Sequence, residues 1–344
     1  MTDYEKIYDF ENLYKAHRKA RLGKRDITEV IDFEANLGYN LVELSRRLEQ
    51  ETYQMSGYYD FKIFDPKERV IHALYYRDRI VQHALCDEVI AYIIGRRLIY
   101  DNAACQKGKG THFVLDRVSL FLRKYYHKYG ARGYFLKFDI MKYFDNIEHD
   151  ILKGKLQSII KDKKVFSLCD KIIDSFEKEP GKALPLGNQT SQWFALFYMD
   201  SLDRLIKEKL RIKYYSRYMD DGVLIHFDKI FLRECLAVMQ EHVEKDLHLQ
   251  FNKKTHIAPL ANGIDYLGWH FYMTDTGKVV RKLRSVAKNR YKRKLKHMKY
   301  MYGEGRMNLD EITPVIRSYH AHFAHGNAYR LEKRVLQDFV LRRE

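Results

Sequence analysis

Apolar residues recur at helical spacing through the first fifty positions of the chain. Residues 4 to 22 and 26 to 50 both carry the pattern, the second through Ile31, Leu37, Leu41, Leu44 and Leu48, and they predict an N-terminal layer of helices. Phe61 to Ile71 then predicts a β-hairpin turning at Asp65-Pro66, followed by a helix over about Arg77 to Leu98. The run Gly133-Tyr134-Phe135-Leu136-Lys137-Phe138-Asp139-Ile140 is short and apolar and ends near an acid, the pattern of a buried strand with a carboxylate at its tip. Helical patterns occupy about 147 to 160, 165 to 178 and 190 to 210. Tyr214 to Arg217 and Val223 to Phe227 predict two β arms around Tyr218-Met219-Asp220-Asp221-Gly222, a hairpin with an acidic tip. A helix near 230 to 246 and short strands through Leu249 to Phe271 follow. From Arg281 to Tyr300 there are ten Lys and Arg and no acid, with Leu283, Val286, Leu295 and Met298 predicted on one face of a helix.

Composition narrows the function classes. The chain has 344 residues, 46% of them hydrophobic and 14% aromatic, enough for a buried core, so wholesale disorder is excluded. Five prolines, no Gly/Ser linker and no repeat predict continuous subdomains. A formal charge of +16 calls for an anionic partner, either nucleic acid or an acidic protein surface, and counterion release favours nucleic acid. Cys86, Cys105, Cys169 and Cys235 show no C-x-x-C spacing, which argues for reduced, mostly buried thiols. The longest apolar run, Val89 to Ile94, is far short of a membrane span, and the expected location is cytoplasmic, with no membrane partner.

Three aspartates carry the candidate chemistry. Asp139 at one strand tip and Asp220 with Asp221 at a hairpin tip, brought side by side, can hold two hard divalent cations, one activating a hydroxyl and one neutralising a triphosphate. A Tyr-x-Asp-Asp string alone is weak, since it also arises by chance. Gln106-Lys107-Gly108-Lys109-Gly110-Thr111-His112 lacks the spacing of a phosphate-cradling P-loop. The basic helix reads either as a solvated face or as a grip on a nucleic-acid backbone.

In chain order these segments resemble the reverse transcriptase family over about residues 60 to 344. Arg69 to Leu85, with Asp78-Arg79-Ile80-Val81-Gln82-His83, is similar to the first fingers block of the bacterial enzymes, and Gln106 to His112 to the second. Asp139-Ile140-x-x-Tyr143-Phe144-Asp145-Asn146-Ile147 and Tyr218-Met219-Asp220-Asp221 resemble the two catalytic motifs. Asn252-Lys253-Lys254-Thr255 is similar to the motif with a lysine near the leaving pyrophosphate, and Tyr266-Leu267-Gly268-Trp269 to the primer grip.

The resemblance implies an α+β right-hand polymerase. Its N-terminal helices and fingers would span 1–130, a palm with an antiparallel sheet and some interleaved fingers elements 131–272, and a basic helical thumb 273–344. It implies an RNA-directed DNA polymerase using two Mg²⁺ ions, with Mn²⁺ as a possible substitute. Asp139, the Ile140 carbonyl and Asp220 would bind metal, with Asp221 as charge support and a weaker ligand and Lys254 near the leaving group. Arg69 and Lys62 would face the triphosphate, Phe144 would exclude a 2′-hydroxyl, and Leu186, Gly187 and Gln192 would border the nucleotide. Tyr218, Met219, Leu267, Gly268, Trp269, Lys292, Arg293, Lys294 and Lys296 would face template and primer.

One block departs from the common family pattern. Where most members have Gln then Gly and end in Ser-Pro, this chain has Leu186-Gly187 and ends in Ser191-Gln192. That form resembles the bacterial or phage-encoded reverse transcriptases of diversity-generating retroelements, which copy a template RNA with errors at adenine for mutagenic retrohoming. Implied partners are template RNA, the cDNA or primer strand, dNTPs and a small basic oligomeric accessory variability protein. An apolar Leu186 fills space without reporting a misfit through lost hydrogen bonds. A retron-like or phage-defence reverse transcriptase and a non-catalytic RNA-binding scaffold are the alternatives.

Overall fold

A computed structural model describes residues 1–64 and 68–343. Each N-terminal periodic stretch divides into two helices, α1 (Asp3–Tyr8) with α2 (Phe10–Ala20), and α3 (Thr28–Ala35) with α4 (Leu37–Glu49). The first break falls at Asp9, whose carboxylate caps α2 by accepting from the Asn12 amide at 3.0 Å. The second falls at Asn36, whose backbone leaves the helical region. The helices bury Ile7, Leu13, Val30, Leu41, Leu44 and Leu48.

The hairpin strands are β1 (Tyr58–Ile63) and β2 (Arg69–Leu74), and the turn expected at Asp65-Pro66 lies outside the described residues. The predicted 77–98 helix is α5 (Tyr76–Leu85), running through a π-helical turn at Cys86–Ile90 into α6 (Ala91–Gly95). Further on come α7 (Thr111–Tyr129), β3 (Tyr134–Phe138), α8 (His149–Ile159), α9 (Lys163–Asp174), α10 (Gln189–Tyr198) and α11 (Asp200–Arg204).

The central sheet adds β4 (Tyr214–Tyr218), β5 (Asp221–His226) and, after α12 (Lys229–Lys245), β6 (His256–Pro259). Its order is β4-β5-β3-β6, antiparallel throughout. Alternation sends Leu136, Phe138 and Leu224 into one hydrophobic core with α10 and α12, and Phe135, Val223 and Ile225 into a second core with α7. Burial on both faces is why β3 reads as an apolar run broken only by Lys137. Although α7 lies within the first 130 residues, it packs on this sheet, with Phe121 and Tyr214 ring centroids 5.7 Å apart.

A three-stranded sheet of β7 (Ile264–Tyr266), β8 (Trp269–Met273) and β9 (Val279–Leu283) leads into α13 (Ser285–Gly303), α14 (Leu309–Phe323) and α15 (Tyr329–Gln337). Here the expected helix face is corrected. Leu283 ends a strand, Val286 is 63% exposed, and α13 instead buries Tyr291, Leu295 and Met298. All four cysteines are free thiols; Cys86, Cys169 and Cys235 are buried and Cys105 is half-buried. Among the described residues no helix is long and apolar enough to cross a membrane.

Candidate active site

The pairing of Phe138 with Gly222 sets the tip of β3 beside the β4–β5 turn and so brings Asp139 to Asp220 and Asp221. Only glycine fits at 222, since a Cβ there would lie 2.3 Å from the Phe138 ring. Tyr218 pairs with Asp221, which leaves Met219 and Asp220 as a two-residue turn, with Met219 in left-handed backbone at φ 53°. Such a conformation costs a non-glycine residue about 1 kcal/mol and must be held by its surroundings. It is gripped from both sides, by Arg217 Nη1 donating to the Met219 carbonyl and by the Tyr266 hydroxyl donating to the Asp221 carbonyl at 2.8 Å.

Arg217 is fully buried, and its charge is met by Asp203 in a bidentate pair. Nε donates to Oδ1 at 2.8 Å and Nη2 to Oδ2 at 2.6 Å. Asp203 also accepts from the Tyr215 hydroxyl at 2.6 Å and from Asn102 Nδ2 at 3.2 Å. The acidic turn therefore rests on a buried polar network in which both carboxylate oxygens of Asp203 are engaged.

Burial and the neighbouring Asp139 charge push the Asp220 carboxyl up to about 6. Burial pushes Asp221 up to about 7 against the pull of Lys137, whose Nζ is 3.4 Å from Asp221 Oδ2. Asp221 Oδ1 is buried with no hydrogen-bond partner. Crowded, desolvated carboxylates with a free oxygen suit a hard divalent cation, which relieves the repulsion that a proton otherwise relieves. Among the described residues no three His, Cys, Asp or Glu side chains form a ready metal cage. Mg²⁺ does not need one, because it binds through one or two carboxylates plus water and substrate phosphates. The Asn252 amide donates to the Asp139 carbonyl at 2.7 Å and the Met141 amide to the Gln250 carbonyl at 2.9 Å, leaving the Ile140 carbonyl outside that ladder.

The three aspartates open onto a cleft of about 730 Å³. Its other walls include Ile63, Arg69 and Ile71 from the hairpin, Ile140 and Phe144, the Leu186-Gly187 loop with Gln192, and Leu267. Residues 65–271 match the family model described as reverse transcriptase (RNA-dependent DNA polymerase). The chain belongs to the reverse transcriptase family. Solved structures agree at the level of fold. A telomerase from Candida albicans, in complex with a TWJ fragment of telomeric RNA, superposes with a TM-score of 0.54 at 13% identity over 84% of this chain and 56% of that one. An apo telomerase from Candida tropicalis gives a TM-score of 0.50 at 13% identity over 82% of this chain and 59% of that one. The chain thus spans less than two thirds of the length of these telomerase chains, and the α+β right-hand arrangement is what they share.

Within this reverse transcriptase fold the expected site residues separate into two groups. Arg69, Asp139, Ile140, Phe144, Leu186, Gly187, Gln192, Tyr218, Met219, Asp220, Asp221 and Leu267 all line the one cleft. The loop at 186–187 is stitched to the hairpin by the His72 amide donating to the Leu186 carbonyl at 3.2 Å. Gly187, at φ 107°, sits where a Cβ would press on Ile71.

Lys62 is not brought there. Strand alternation puts it opposite Val70, on the other face from Ile63 and Arg69, where it pairs with Glu68 at 2.8 Å. Lys254 and Gly268 are exposed and do not line the cleft, and Asn252 of the lysine's motif does. Trp269, expected to face template and primer, is instead at 0% exposure and packed 5.2 Å from the His322 ring, a core residue with no exposed surface. Lys292 and Lys296 line a separate groove with Lys288, Lys299 and Arg334, while Arg293 and Lys294 are exposed outside it. Sequence reasoning missed Arg217, Asp203, Lys137 and Tyr266. The available signal was Arg217 and Lys137 themselves, charges inside apolar strands that must find partners.

Proposed function

We propose that this reverse transcriptase builds DNA on an RNA template at the Asp139–Asp220–Asp221 cluster, and that its copying is error-prone at template adenines, in the service of diversity-generating retrohoming. The observation that carries the polymerase reading is the convergence of two acidic motifs, 81 positions apart, on one nucleotide-sized cleft. In this reading residues 1–130 supply N-terminal helices and fingers, 131–272 the palm and 273–344 the thumb. Two Mg²⁺ ions, replaceable by Mn²⁺ and held by Asp139, Asp220 and the Ile140 carbonyl, would supply Lewis acidity to a primer 3′-hydroxyl and to the triphosphate. Asp221, partly neutralised by Lys137, supports the charge. Arg69 holds phosphate oxygens with its planar fork, and Phe144 closes the space of a 2′-hydroxyl. Lys62 and Trp269 have no part in it.

The mutagenic reading rests on Leu186 in the cleft wall, and its partners include a small basic accessory protein. The test is primer extension on an adenine-rich RNA template. Leu186→Gln is expected to lower misincorporation opposite adenine by a factor of a few, because a polar contact worth about 1 kcal/mol would favour correct pairs. Equal error spectra at equal rates would make Leu186 a packing residue and remove the mechanism. Extension without any template would favour the retron-like or phage-defence alternative.

The basic helix α13 has a test of its own. Neutralising Lys292, Arg293, Lys294 and Lys296 together is expected to weaken primer-template binding across sequences. The log-log salt slope should flatten by up to about 3.6 if each meets a phosphate. An unchanged slope in a filter-binding titration would mean that the helix faces protein or solvent.

A further inference from the structure

Four polar side chains from three helices form one hydrogen-bonded chain, and none of them lines the catalytic cleft. Lys155 comes from α8, Ser201 from α11, His242 from the last turn of α12 and Asp246 from the residue that caps it. His242 and Asp246 are four positions apart, the spacing that makes side chains neighbours on a helix, and Asp246 Oδ2 lies 2.6 Å from His242 Nδ1. The other ring nitrogen, Nε2, lies 3.0 Å from Ser201 Oγ. Lys155 Nζ donates to that same oxygen at 3.0 Å.

The chemistry of the partners fixes where the protons sit. A carboxylate only accepts, so Nδ1 carries the ring proton and Nε2 keeps its lone pair. Burial pushes the Lys155 pKa down to about 8, with Nζ 5.9 Å from the centroid of the Phe197 ring, and at neutral pH the group is still an ammonium. An ammonium only donates, so the Ser201 hydroxyl proton is directed at Nε2. An imidazolium formed by that transfer would sit in the last turn of α12, where free carbonyls favour a cation. Ser201 is partly exposed and the His242 side chain is 17% exposed, so a small molecule can reach Oγ.

A hydroxyl, a base and a carboxylate within hydrogen-bond reach of one another are the arrangement that activates a serine on unrelated folds. We propose that Ser201 is a nucleophile toward small activated acyl donors, esters or thioesters, with His242 as its general base and Asp246 as the residue that positions the ring. Oγ attacks the carbonyl carbon while its proton passes to Nε2. The carbonyl oxygen takes up the π electron pair, and the Lys155 ammonium beside Oγ meets the negative charge. The pair then returns, the bond to the alcohol or thiol breaks, and the leaving group takes the proton from Nε2. Water enters by the same exchange, releases the acid and restores the Ser201 hydroxyl. An open site supplies little binding energy, so the leaving group must supply the reactivity, which is why activated donors are the class. The assignment is independent of the polymerase reading.

The experiment treats the full chain with an alkyl fluorophosphonate, whose P–F bond is replaced by an Oγ–P bond with loss of fluoride, and locates the label by peptide mass spectrometry. Wild type is expected to be labelled at Ser201, and Ser201→Ala to take up no label. His242→Ala should slow labelling by at least about 100-fold, the contribution of a positioned base, and free imidazole should restore part of the rate. Asp246→Asn should slow it without responding to imidazole. In a second arm, p-nitrophenyl acetate should acetylate Ser201 in wild type and not in His242→Ala. Matched melting temperatures show that the variants fold. No label on Ser201, or a labelling rate that His242→Ala leaves unchanged, would overturn the nucleophile and leave the four residues as a clasp between helices. A loss in His242→Ala that imidazole fails to rescue would overturn the general base and make the ring structural. Phosphonylation without acetylation would overturn the acyl-donor assignment.

Discussion

Asp220→Asn is expected to abolish RNA-templated dNTP incorporation, by at least about 1,000-fold, the several kcal/mol that metal Lewis acidity contributes to the transition state. RNA affinity should hold, because the carboxylate sits among like charges and touches no cationic surface. The same change is expected to stabilise the metal-free protein. Asp220 titrates at about 6 and Asp221 at about 7 in the folded chain, against about 3.9 unfolded. A raised carboxyl pKa means that the folded state keeps its proton longer, so stability is full below about pH 4 and falls as pH rises to about 7. Asn cannot ionise and escapes that loss. In EDTA at pH 8 the variant should therefore melt above wild type, and the two should converge near pH 4. Mg²⁺ should raise the melting temperature of wild type more than that of the variant. Measurable Mg²⁺-dependent synthesis by Asp220→Asn would overturn the catalytic assignment.

That opposition between stability and chemistry bears on how much of the site the sequence could reveal. The Asp139 strand was legible because β3 is buried on both faces and so reads as an apolar run, broken only by Lys137, ending near an acid. The β4–β5 hairpin was legible because its arms flank a polar tip. The helix breaks at Asp9 and Asn36 were not, since the apolar period persists across each of them while a single residue leaves the helix. Leu283 was misplaced for a related reason: a residue ending a β-strand can still fall in phase with the helix that follows. Lys62 and Trp269 show a different limit. A motif gives a residue's place along the chain, whereas the face it presents depends on register and on what packs above it. In β1 the register turns Lys62 from the cleft, and around β8 the C-terminal helices cover Trp269.

The Arg217–Asp203 pair joins residues 14 positions apart on a helix and a strand, and neither belongs to a motif that singles it out. Its removal carries the second large effect. Arg217→Met alone leaves Asp203 buried and unpaired, and the expected cost is about 3–5 kcal/mol, a large share of the stability of a typical domain. Loss of activity in that variant would not separate folding from positioning. Replacing both partners, Arg217→Met with Asp203→Leu, together with Tyr215→Phe to remove the hydroxyl that Asp203 accepted from, removes the unpaired charge, and the apolar cluster is expected to recover part of the stability, the Asn102 amide being left without its acceptor. Activity should not recover with it, because no donor then holds the Met219 carbonyl and the left-handed turn is free to relax away from Asp139. Single-turnover incorporation should fall by about 10- to 100-fold, the effect of misplacing a reacting group by about 1 Å, with the dNTP concentration for half-maximal rate little changed. A triple variant that is folded at the assay temperature and incorporates like wild type would reduce the pair to scaffolding. One that is folded there and incorporates slowly would establish that the buried guanidinium keeps the catalytic turn in register with the strand beside it.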